Sequence, residues 1–325
     1  MVVNVYNSVF VLCDKRGSAC QYHFLYSYIK MKTNKAHNVE KKVGIKTLPF
    51  GSIYFFIAFI LLPYFSNAQN KTSLSTEDWK NLLADQLFPG KKVDNIIFHF
   101  DIPFEEKFIK VDDSTLLHGL LFKAKKPKGV IFYLHGSNNA LDTWGKIAPI
   151  YTAKEYDVFM LDYRGYGKSQ GKVTDEDTLY RDIQIVYDKL METYSENQIV
   201  VLGQSMGTAL ASYVAANNHP NLLILQAPYY NLKDWTNDVA PELDTSNIPY
   251  SFDNSSFLKT VRCPVVIFHG NKDTAVYYGS SVKLSKLFKA ADQFITLQDE
   301  SHNDFSKNKA YVNSIGLILK KNKLE

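Results

Sequence analysis

Apolar and polar residues alternate in two neighbouring segments, residues 105–111 (EEKFIKV) and 114–124 (STLLHGLLFKA), on either side of Asp112 and Asp113. Such alternation is typical of strands that bury one face and expose the other. The short polar pair between the two segments suits a turn. These segments therefore predict an antiparallel hairpin at the edge of a sheet.

The segments after residue 128 show a different pattern, in which apolar residues follow one another with little polar interruption. Such runs are typical of strands buried on both faces, as in a parallel sheet. Helical spacing lies between the runs, most clearly at residues 175–194, where an acidic first turn precedes the apolar positions. Another helix is expected around residues 143–155. The predicted strands lie in residues 129–136, 157–165, 199–204, 221–228, 264–270 and 292–298.

Strands that alternate with helices predict an α/β fold, with a mostly parallel central sheet, antiparallel N-terminal strands and helices on both faces. No internal repeat or low-complexity linker interrupts residues 69–325, so these residues are expected to form one domain. Within it, residues 229–261 are an insertion between two predicted strands. The insertion has room for only a short cap.

Residues 1–68 are expected to be an N-terminal extension that carries a secretory signal peptide. Basic residues at 41–46 precede an uncharged apolar segment, residues 49–65, and small residues follow it up to Ala68. This order predicts cleavage near Ala68 and a periplasmic or secreted mature protein. The apolar segment of 17 residues is also close to the length of about 20 residues that spans a bilayer. An uncleaved membrane anchor is therefore the alternative.

The start of this extension has two interpretations. Met31 begins the segment MKTNKAHNVEKK, which is more typical of the start of a signal peptide than Met1 is. Residues 1–30 are therefore expected to be either an over-extended start or an unstructured tail.

Charge is distributed unevenly along the chain. The whole chain carries +4, while residues 1–48 hold eight Lys or Arg against two acids and residues 49–68 hold no charge. The surplus of +6 in residues 1–48 leaves −2 for residues 69–325. A mildly acidic domain argues against a phosphate-binding surface and against nucleic acid as a partner.

The stretch IVVLGQSMGTALA, residues 199–211, leads from an apolar strand through a Gly-Gln-Ser-Met-Gly turn into small residues that suit a helix. Gly203 and Gly207 flank Ser205 at two residues on either side, where a sharp strand-to-helix turn leaves no room for a Cβ. A G-x-S-x-G turn of this kind holds a strained serine with its hydroxyl at the carboxyl end of the strand. We therefore expect Ser205 to be a nucleophile.

A serine hydroxyl needs a neighbouring base, which an acid in turn orients. In a parallel sheet, reactive residues gather beyond the carboxyl ends of the strands. Asp273 and His302 each follow a separate predicted strand downstream of Ser205. We expect His302 to act as general base and then acid, and Asp273 to orient the imidazole and stabilise its cation. Asp299 and Glu300 are alternatives for the acid.

Acyl transfer also needs N–H donors for the developing oxyanion. The backbone amide of Met206, directly after the nucleophile, is one expected donor. The amide of Ser137, in the loop after the strand at 129–136, is the other. His135 and His269 lie at the ends of strands and are expected to be structural.

Five motifs in this order, HGSNN, DYRGYGKSQG, GQSMG, HGNKDTAV and SHNDF, occur between residues 135 and 305. They resemble the α/β-hydrolase superfamily, in particular its small-capped serine aminopeptidase-like and esterase-like branch, over nearly all of residues 90–320. The resemblance implies the α/β-hydrolase fold and the chain order nucleophile, acid, histidine. It also implies a chiefly structural role for Asp162 and Arg164. Ser137-Asn138 stand where relatives often have Asn-Ala, a departure that bears on the polarity of the pocket.

Aromatic residues of the insertion are candidates for lining a substrate site, although such residues equally form the core of a small cap. The modest length of the insertion indicates an open cleft rather than a deep lipid tunnel. The candidates are Tyr229, Tyr230, Trp235, Tyr250 and Phe252.

The sequence contains no spacing typical of metal ligands, such as H-E-x-x-H or paired C-x-x-C, and no G-x-G-x-x-G after a strand. We therefore expect neither a metal nor a cofactor. The interpretation is a serine hydrolase that cleaves a small-molecule carboxylic ester with a short or medium acyl group, through an acyl-enzyme. A serine peptidase or amidase acting on a peptide is the nearest alternative, since it uses the same attack. A catalytically silent member of the fold that acts as a binding protein is the alternative of another class.

Overall fold

The computed structural model describes residues 2–6, 9–13, 72–93, 95–303 and 305–321. The chain forms two units, residues 1–62 and 63–325. In the first unit, strands β1 (Val2–Tyr6) and β2 (Val9–Cys13) pair in antiparallel fashion. These strands differ from the unstructured tail that was one interpretation of residues 1–30.

The signal peptide or anchor predicted at residues 49–68 lies outside the described residues. In the part of the chain that the structure does describe, no helix combines the length and the apolar character needed to cross a membrane.

The described strands of the second unit are β3 (Thr72–Ser73), β4 (Phe104–Lys110), β5 (Leu116–Phe122), β6 (Gly129–Leu134), β7 (Tyr156–Leu161), β8 (Ile199–Gln204), β9 (Leu222–Gln226), β10 (Leu243–Asp244), β11 (Val265–Gly270) and β12 (Gln293–Leu297). Eight of them form a central sheet, in the order β12-β11-β9-β8-β6-β7-β5-β4. A separate parallel pair is formed by β3 and β10.

The directions of the strands confirm the predicted mixed sheet. Strands β7, β6, β8, β9, β11 and β12 are joined by parallel pairs. The predicted hairpin forms β4 and β5, with Phe104 opposite Phe122 and Lys110 opposite Leu116. Strand β5 pairs antiparallel with β7, which leaves β4 at the edge of the sheet.

The helices follow the predicted alternation with the strands. They are α1 (Thr76–Leu87), α2 (Leu141–Trp144), α3 (Ala148–Thr152), α4 (Glu176–Met191), α5 (Gly207–Asn217), α6 (Leu232–Val239), α7 (Asn254–Leu258), α8 (Tyr278–Ser285) and α9 (Lys309–Lys321), with 3₁₀ turns at Gly145–Ile147, Glu196–Gln198 and Phe305–Lys307. The prediction of one helix around residues 143–155 is wrong, because α2 and α3 are separated by a 3₁₀ turn. Pro149 lies in the first turn of α3. Proline has no N–H to continue a preceding helix but suits the first turn of a new one.

Helices cover both faces of the sheet, as β6 shows. Successive side chains of a strand point to opposite faces. The ring of Tyr133 packs against Tyr151 of α3, with centroids 6.1 Å apart, while the neighbouring Phe132 packs against Tyr187 of α4 at 6.4 Å. Burial on both sides explains why β6 is an unbroken apolar run.

The insertion at residues 229–261 forms a short cap from α6, β10 and α7. Its β10 pairs with β3, which ties the cap to the segment before the sheet. Helix α7 docks on α5 through Asn254, whose amide donates to the Thr208 hydroxyl at 3.1 Å and whose carbonyl oxygen accepts from the Ser212 hydroxyl at 2.8 Å. The cap therefore rests directly on the helix that follows Ser205.

The close packing of β8 and α5 against β6 leads to a stability prediction. A Cβ at Gly207 would overlap the carbonyl oxygen of Leu134 and lie 2.7 Å from that of His135. Replacing Gly207 by Ala is expected to lower the free energy of unfolding in urea by about 3 kcal/mol, because overpacking outweighs the better helix propensity of alanine. Gly136→Ala is the control, because its nearest contact would be an ordinary 3.5 Å. Equal stability of the two variants would contradict the prediction.

Candidate active site

The serine turn predicted at residues 203–207 is present. Strand β8 ends at Gln204, α5 begins at Gly207, and Ser205 between them has a φ of +52°. A positive φ is strained for a residue with a Cβ. The amide of Ser205 donates to the carbonyl of Gln226 at 2.9 Å, and the carbonyl of Ser205 accepts from the amide of Thr208 at 3.0 Å. These bonds hold the turn in its strained form.

Three side chains that are distant in sequence meet beyond the carboxyl ends of β8, β11 and β12. His302 Nε2 lies 3.0 Å from the Ser205 hydroxyl oxygen, and His302 Nδ1 lies 2.7 Å from Asp273 Oδ2. The Ser205 residue is 9% exposed and the His302 side chain is 12% exposed, so both are largely buried but remain in contact with solvent. The structure thus brings together the three side chains predicted as nucleophile, base and acid.

The partners of His302 determine its tautomer. A carboxylate can only accept hydrogen bonds, so Nδ1 carries the proton that is donated to Asp273. Nε2 then has a free lone pair, which accepts a hydrogen bond from the Ser205 hydroxyl. This is the arrangement that a general base needs toward a serine.

Asp273 is held from several directions. Its Oδ1 accepts from the backbone amides of Ala275 and Val276, both at 2.8 Å. Its Oδ2 is contacted by His302 and also by His269, whose Nε2 lies 3.2 Å away. Burial alone would raise the pKa of Asp273, but the hydrogen bonds from His269 and His302 outweigh it and hold this pKa well below its usual range. The carboxylate is therefore ionised at neutral pH.

The two alternative acids lie elsewhere. Asp299 is exposed and pairs with Lys272 at 2.6 Å. Glu300 accepts from the Asn308 side-chain amide at 2.6 Å. Of the three acids considered from the sequence, Asp273 is the one that contacts His302.

The loop after β6 passes beside the nucleophile. A Cβ placed on Gly136 would lie 3.5 Å from Ser205 Cβ. The next residue, Ser137, is buried, and its carbonyl accepts from the Tyr166 hydroxyl at 2.7 Å. Met206 follows Ser205 directly and precedes the first residue of α5. The segments that carry both expected oxyanion donors therefore approach each other at the serine.

His135 is buried in this loop and has the structural surroundings that were expected. Its Nδ1 lies 2.7 Å from the carbonyl of Gly136, and its ring packs on Tyr163 with centroids 4.3 Å apart. Burial lowers the pKa of His135, so the ring is neutral at neutral pH. His269, by contrast, touches the acid Asp273, a contact that the sequence did not indicate.

Trp144 is a residue at the site that sequence reasoning missed. Its indole N–H donates to the carbonyl of Asn138 at 2.8 Å, and its ring lies 3.6 Å from the point where a Cβ on Gly136 would be. The indole thus fixes the loop beside Ser205 and forms part of the wall there. The sequence offered one signal, a single tryptophan shortly after the HGSNN motif.

The cap aromatics connect the cap to the site in different ways. Tyr229 is buried, and its hydroxyl lies 3.5 Å from the sulfur of Met206. The indole N–H of Trp235 donates to the carbonyl of Ala275 at 2.9 Å, in the loop that holds the acid. Tyr230 is half-buried, with the ammonium of Lys283 5.9 Å from its ring centroid.

Tyr250 and Phe252, the remaining candidates of the cap, contact other segments. The Tyr250 hydroxyl donates to the carbonyl of Thr174 at 3.0 Å, at the start of α4. Phe252 is buried against Phe88, with ring centroids 5.5 Å apart. Phe252 therefore packs in a buried aromatic contact, whereas Tyr250 makes a polar contact near the surface.

Among the described residues, no group of three or more His, Cys, Asp or Glu side chains is arranged to hold a metal ion. The chemistry that the site residues themselves can supply is nucleophilic attack by a serine, with proton transfer through an imidazole.

Comparisons with known proteins agree with the fold. Residues 125–245 match the family described as "Serine aminopeptidase, S33", a match that includes Ser205 and ends before Asp273 and His302. The Schizosaccharomyces pombe protein bem46 is 28% identical over 258 residues, which cover 75% of this chain and 86% of bem46. The human alpha/beta hydrolase domain-containing protein 17B is 27% identical over 183 residues, which cover 54% of this chain and 61% of that protein.

A solved structure shows the same architecture. An esterase from Pyrococcus furiosus superposes with a TM-score of 0.59 at 17% sequence identity, and the match covers 71% of this chain and 98% of the esterase. At this identity the likeness concerns the fold. The sheet order, the helices on both faces, the strand-turn-helix at residues 199–211 and these similarities together show an α/β-hydrolase fold.

Proposed function

We propose that the protein is a serine hydrolase that cleaves carboxylic esters with short or medium acyl groups through an acyl-enzyme intermediate. The single observation that carries the proposal is the hydrogen-bonded chain from Ser205 through His302 to Asp273, with contacts of 3.0 and 2.7 Å. Nucleophile and base are within hydrogen-bond reach, and a third group orients the base, which is the arrangement expected of an activated serine.

The first half of the reaction forms the acyl-enzyme. The Ser205 oxygen attacks the ester carbonyl carbon while its proton moves to His302 Nε2. The carbonyl oxygen becomes an oxyanion, which the amides of Ser137 and Met206 stabilise. The C–O bond to the alcohol then breaks, and His302 gives its proton to the leaving oxygen.

The second half releases the acid. A water molecule takes the place of the alcohol and transfers a proton to His302 as it attacks the acyl carbon. The bond to the Ser205 oxygen breaks, and that oxygen recovers its proton from His302. Throughout, the buried carboxylate of Asp273 stabilises the positive charge that appears on the imidazole.

Several observations favour an ester over an amide substrate. The cap is short, and its aromatic residues are engaged in contacts with Met206, Ala275 and Phe88, so the cleft has few built features for holding a peptide chain. The fold is also shared with an esterase. The name of the matching family, serine aminopeptidase, favours the peptidase or amidase alternative. A silent binding protein is the third candidate, and the unbroken contact from Ser205 to Asp273 argues against it.

A fluorophosphonate probe and a substrate panel test the proposal. The probe is expected to label the protein at Ser205, because it reacts with an activated serine and mimics the tetrahedral intermediate. Steady-state rates on p-nitrophenyl esters of increasing chain length, compared with aminoacyl p-nitroanilides, are expected to favour the esters of short and medium chains.

Two outcomes would contradict the proposal in different ways. Cleavage of the anilides alone would assign the protein to the peptidases. Absence of labelling in a sample whose cooperative unfolding shows that it is folded would favour the silent binding protein.

A further inference from the structure

Two histidine side chains contact Asp273 Oδ2, and the proposed mechanism uses only one of them. His302 Nδ1 lies 2.7 Å from this oxygen and its other nitrogen contacts the nucleophile, whereas His269 Nε2 lies 3.2 Å from the same oxygen on a fully buried ring. The side chains of His269 and Asp273 are both fully buried. The second imidazole is therefore part of the environment of the acid and has no contact with solvent.

The partners of His269 determine which of its nitrogens carries a proton. Nε2 faces Asp273 Oδ2 and also the carbonyl oxygen of Val276, which is 3.1 Å away. Both neighbours can only accept hydrogen bonds, so Nε2 must be protonated. Nδ1 lies 2.6 Å from the hydroxyl oxygen of Ser281, a group that can donate. In the neutral ring, Ser281 thus donates to Nδ1, and Nε2–H donates to the Val276 carbonyl while Nε2 lies 3.2 Å from Asp273 Oδ2.

The surroundings hold the ring in this orientation. His269 is a residue of β11, and its register partner on β12 is Thr296. Helix α8 contributes Ser281 and the ring of Tyr278, which meets the imidazole edge-to-face with centroids 5.6 Å apart. Among the described residues that contact His269, Asp273 and Tyr278 are titratable. His302 contacts the same Asp273 oxygen.

We infer that His269 is a positioning residue of the proposed hydrolase. Its Nε2–H, oriented by Ser281, holds the Asp273 carboxylate in place, and the negative charge of this carboxylate acts on both His269 and His302. The inference rests on the proposed function, since it concerns the same triad. It adds a buried segment to the hydrogen-bonded chain, which then runs from Ser281 through His269 and Asp273 to His302 and Ser205.

This placement has two physical consequences. The carboxylate accepts hydrogen bonds from the amides of Ala275 and Val276 and from His302, and the Nε2–H of His269 lies beside its Oδ2, so rotation of its plane away from His302 is opposed on both oxygens. In addition, the donor from His269 compensates part of the charge on Oδ2. Without it, the full charge would act on the His302 cation and hold its proton more tightly.

The test is the pH profile of kcat/KM on the best ester of the panel, measured for His269→Leu, His269→Gln and Ser281→Ala. The leucine variant removes a hydrogen bond to a charged group and is expected to lose about 10-fold or more in kcat/KM. The acidic limb of its profile is expected to move to higher pH, because His302 must lose its proton before it can act as a base. His269→Gln keeps an N–H near the position of Nε2. We expect this variant to retain most of the activity and an acidic limb at the same pH as in the wild type.

Ser281→Ala keeps the His269 ring but removes the hydrogen-bond donor to its Nδ1. We expect it to shift the pH profile of kcat/KM in the same direction as His269→Leu, by a smaller amount. This variant serves as the second measurement where His269→Leu does not fold. The matched control is His118→Gln, because His118 is equally buried and lies between two carboxylates, Asp162 and Glu106, away from the triad. Its acidic limb is expected to coincide with that of the wild type.

The outcomes separate this inference from the proposed function. A wild-type protein that neither reacts with the fluorophosphonate nor cleaves esters would overturn the proposed function, and this inference with it. An active wild type whose acidic limb is unchanged in both His269→Leu and Ser281→Ala would overturn this inference alone. A loss of activity without a shift of the limb, equal to that of His118→Gln, would likewise assign His269 a merely structural role.

Discussion

Replacing Ser205 by alanine is expected to lower kcat for ester cleavage about a millionfold, to the level that the oxyanion donors and substrate binding sustain by themselves. The variant retains the cleft, His302 and Asp273 but has no oxygen that can form the acyl-enzyme. It also relieves little of the backbone strain, since alanine carries the same Cβ at a φ of +52°. Fluorophosphonate labelling and the initial burst of p-nitrophenol are the two measurements, and both are expected to disappear.

The matched control for this variant is Ser212→Ala. Ser212 is another buried serine, on the same helix that follows the nucleophile, and its hydroxyl donates to Asn254 at 2.8 Å. Removing this hydroxyl is expected to cost about 1 kcal/mol of stability and to leave labelling intact. Retention of the burst in Ser205→Ala would show that another residue is the nucleophile and would remove the basis of the proposed function.

Replacing Asp273 by asparagine is expected to lower kcat about 10⁴-fold, through the tautomer of His302. The amides of Ala275 and Val276 both donate to the Oδ1 position. The side-chain carbonyl oxygen of an asparagine would therefore occupy that position, and its NH₂ group would point to His302. His302 Nδ1 would then have to accept, so the proton would move to Nε2. With Nε2 protonated, the Ser205 hydroxyl would lose its base.

Steady-state rates for Asp273→Asn, with Asp299→Asn as the control, measure this effect. Asp299 is exposed and paired with Lys272, so its replacement is expected to leave kcat within about twofold, as is usual for surface groups outside the site. Labelling of Asp273→Asn by the fluorophosphonate should slow in parallel with kcat. A larger loss in Asp299→Asn than in Asp273→Asn would contradict the assignment of the acid.

Much of the fold could be predicted because the sequence patterns that indicate strands and helices are local. The unbroken apolar runs, such as β6 and β8, have no polar alternation since helices cover both of their faces. The alternation in residues 105–124 indicated the hairpin of β4 and β5, which pair in antiparallel fashion at the edge of the sheet. The break between α2 and α3 was missed, although Pro149 marked it.

The site was less accessible to sequence reasoning. The chain order of Ser205, Asp273 and His302 pointed to three side chains, but several acids stood near the right positions. Only the packed loops distinguish Asp273, held by two backbone amides, from Asp299 and Glu300, which turn to Lys272 and Asn308. A side chain's direction in a loop depends on hydrogen bonds to residues that no local pattern identifies.

By itself, the sequence determined the strands of the central sheet, helices such as α4 and the sharp turn at Ser205, because these depend on periodicity and on glycines where a Cβ would overlap the backbone, as at Gly203 and Gly207. The tertiary structure alone decided which groups meet. It placed the Trp144 indole against the loop beside the nucleophile and a second imidazole, His269, against the acid. The physical reason is that contacts between residues tens to hundreds of positions apart follow from the order of strands in the sheet, and short-range patterns of side chains do not record that order.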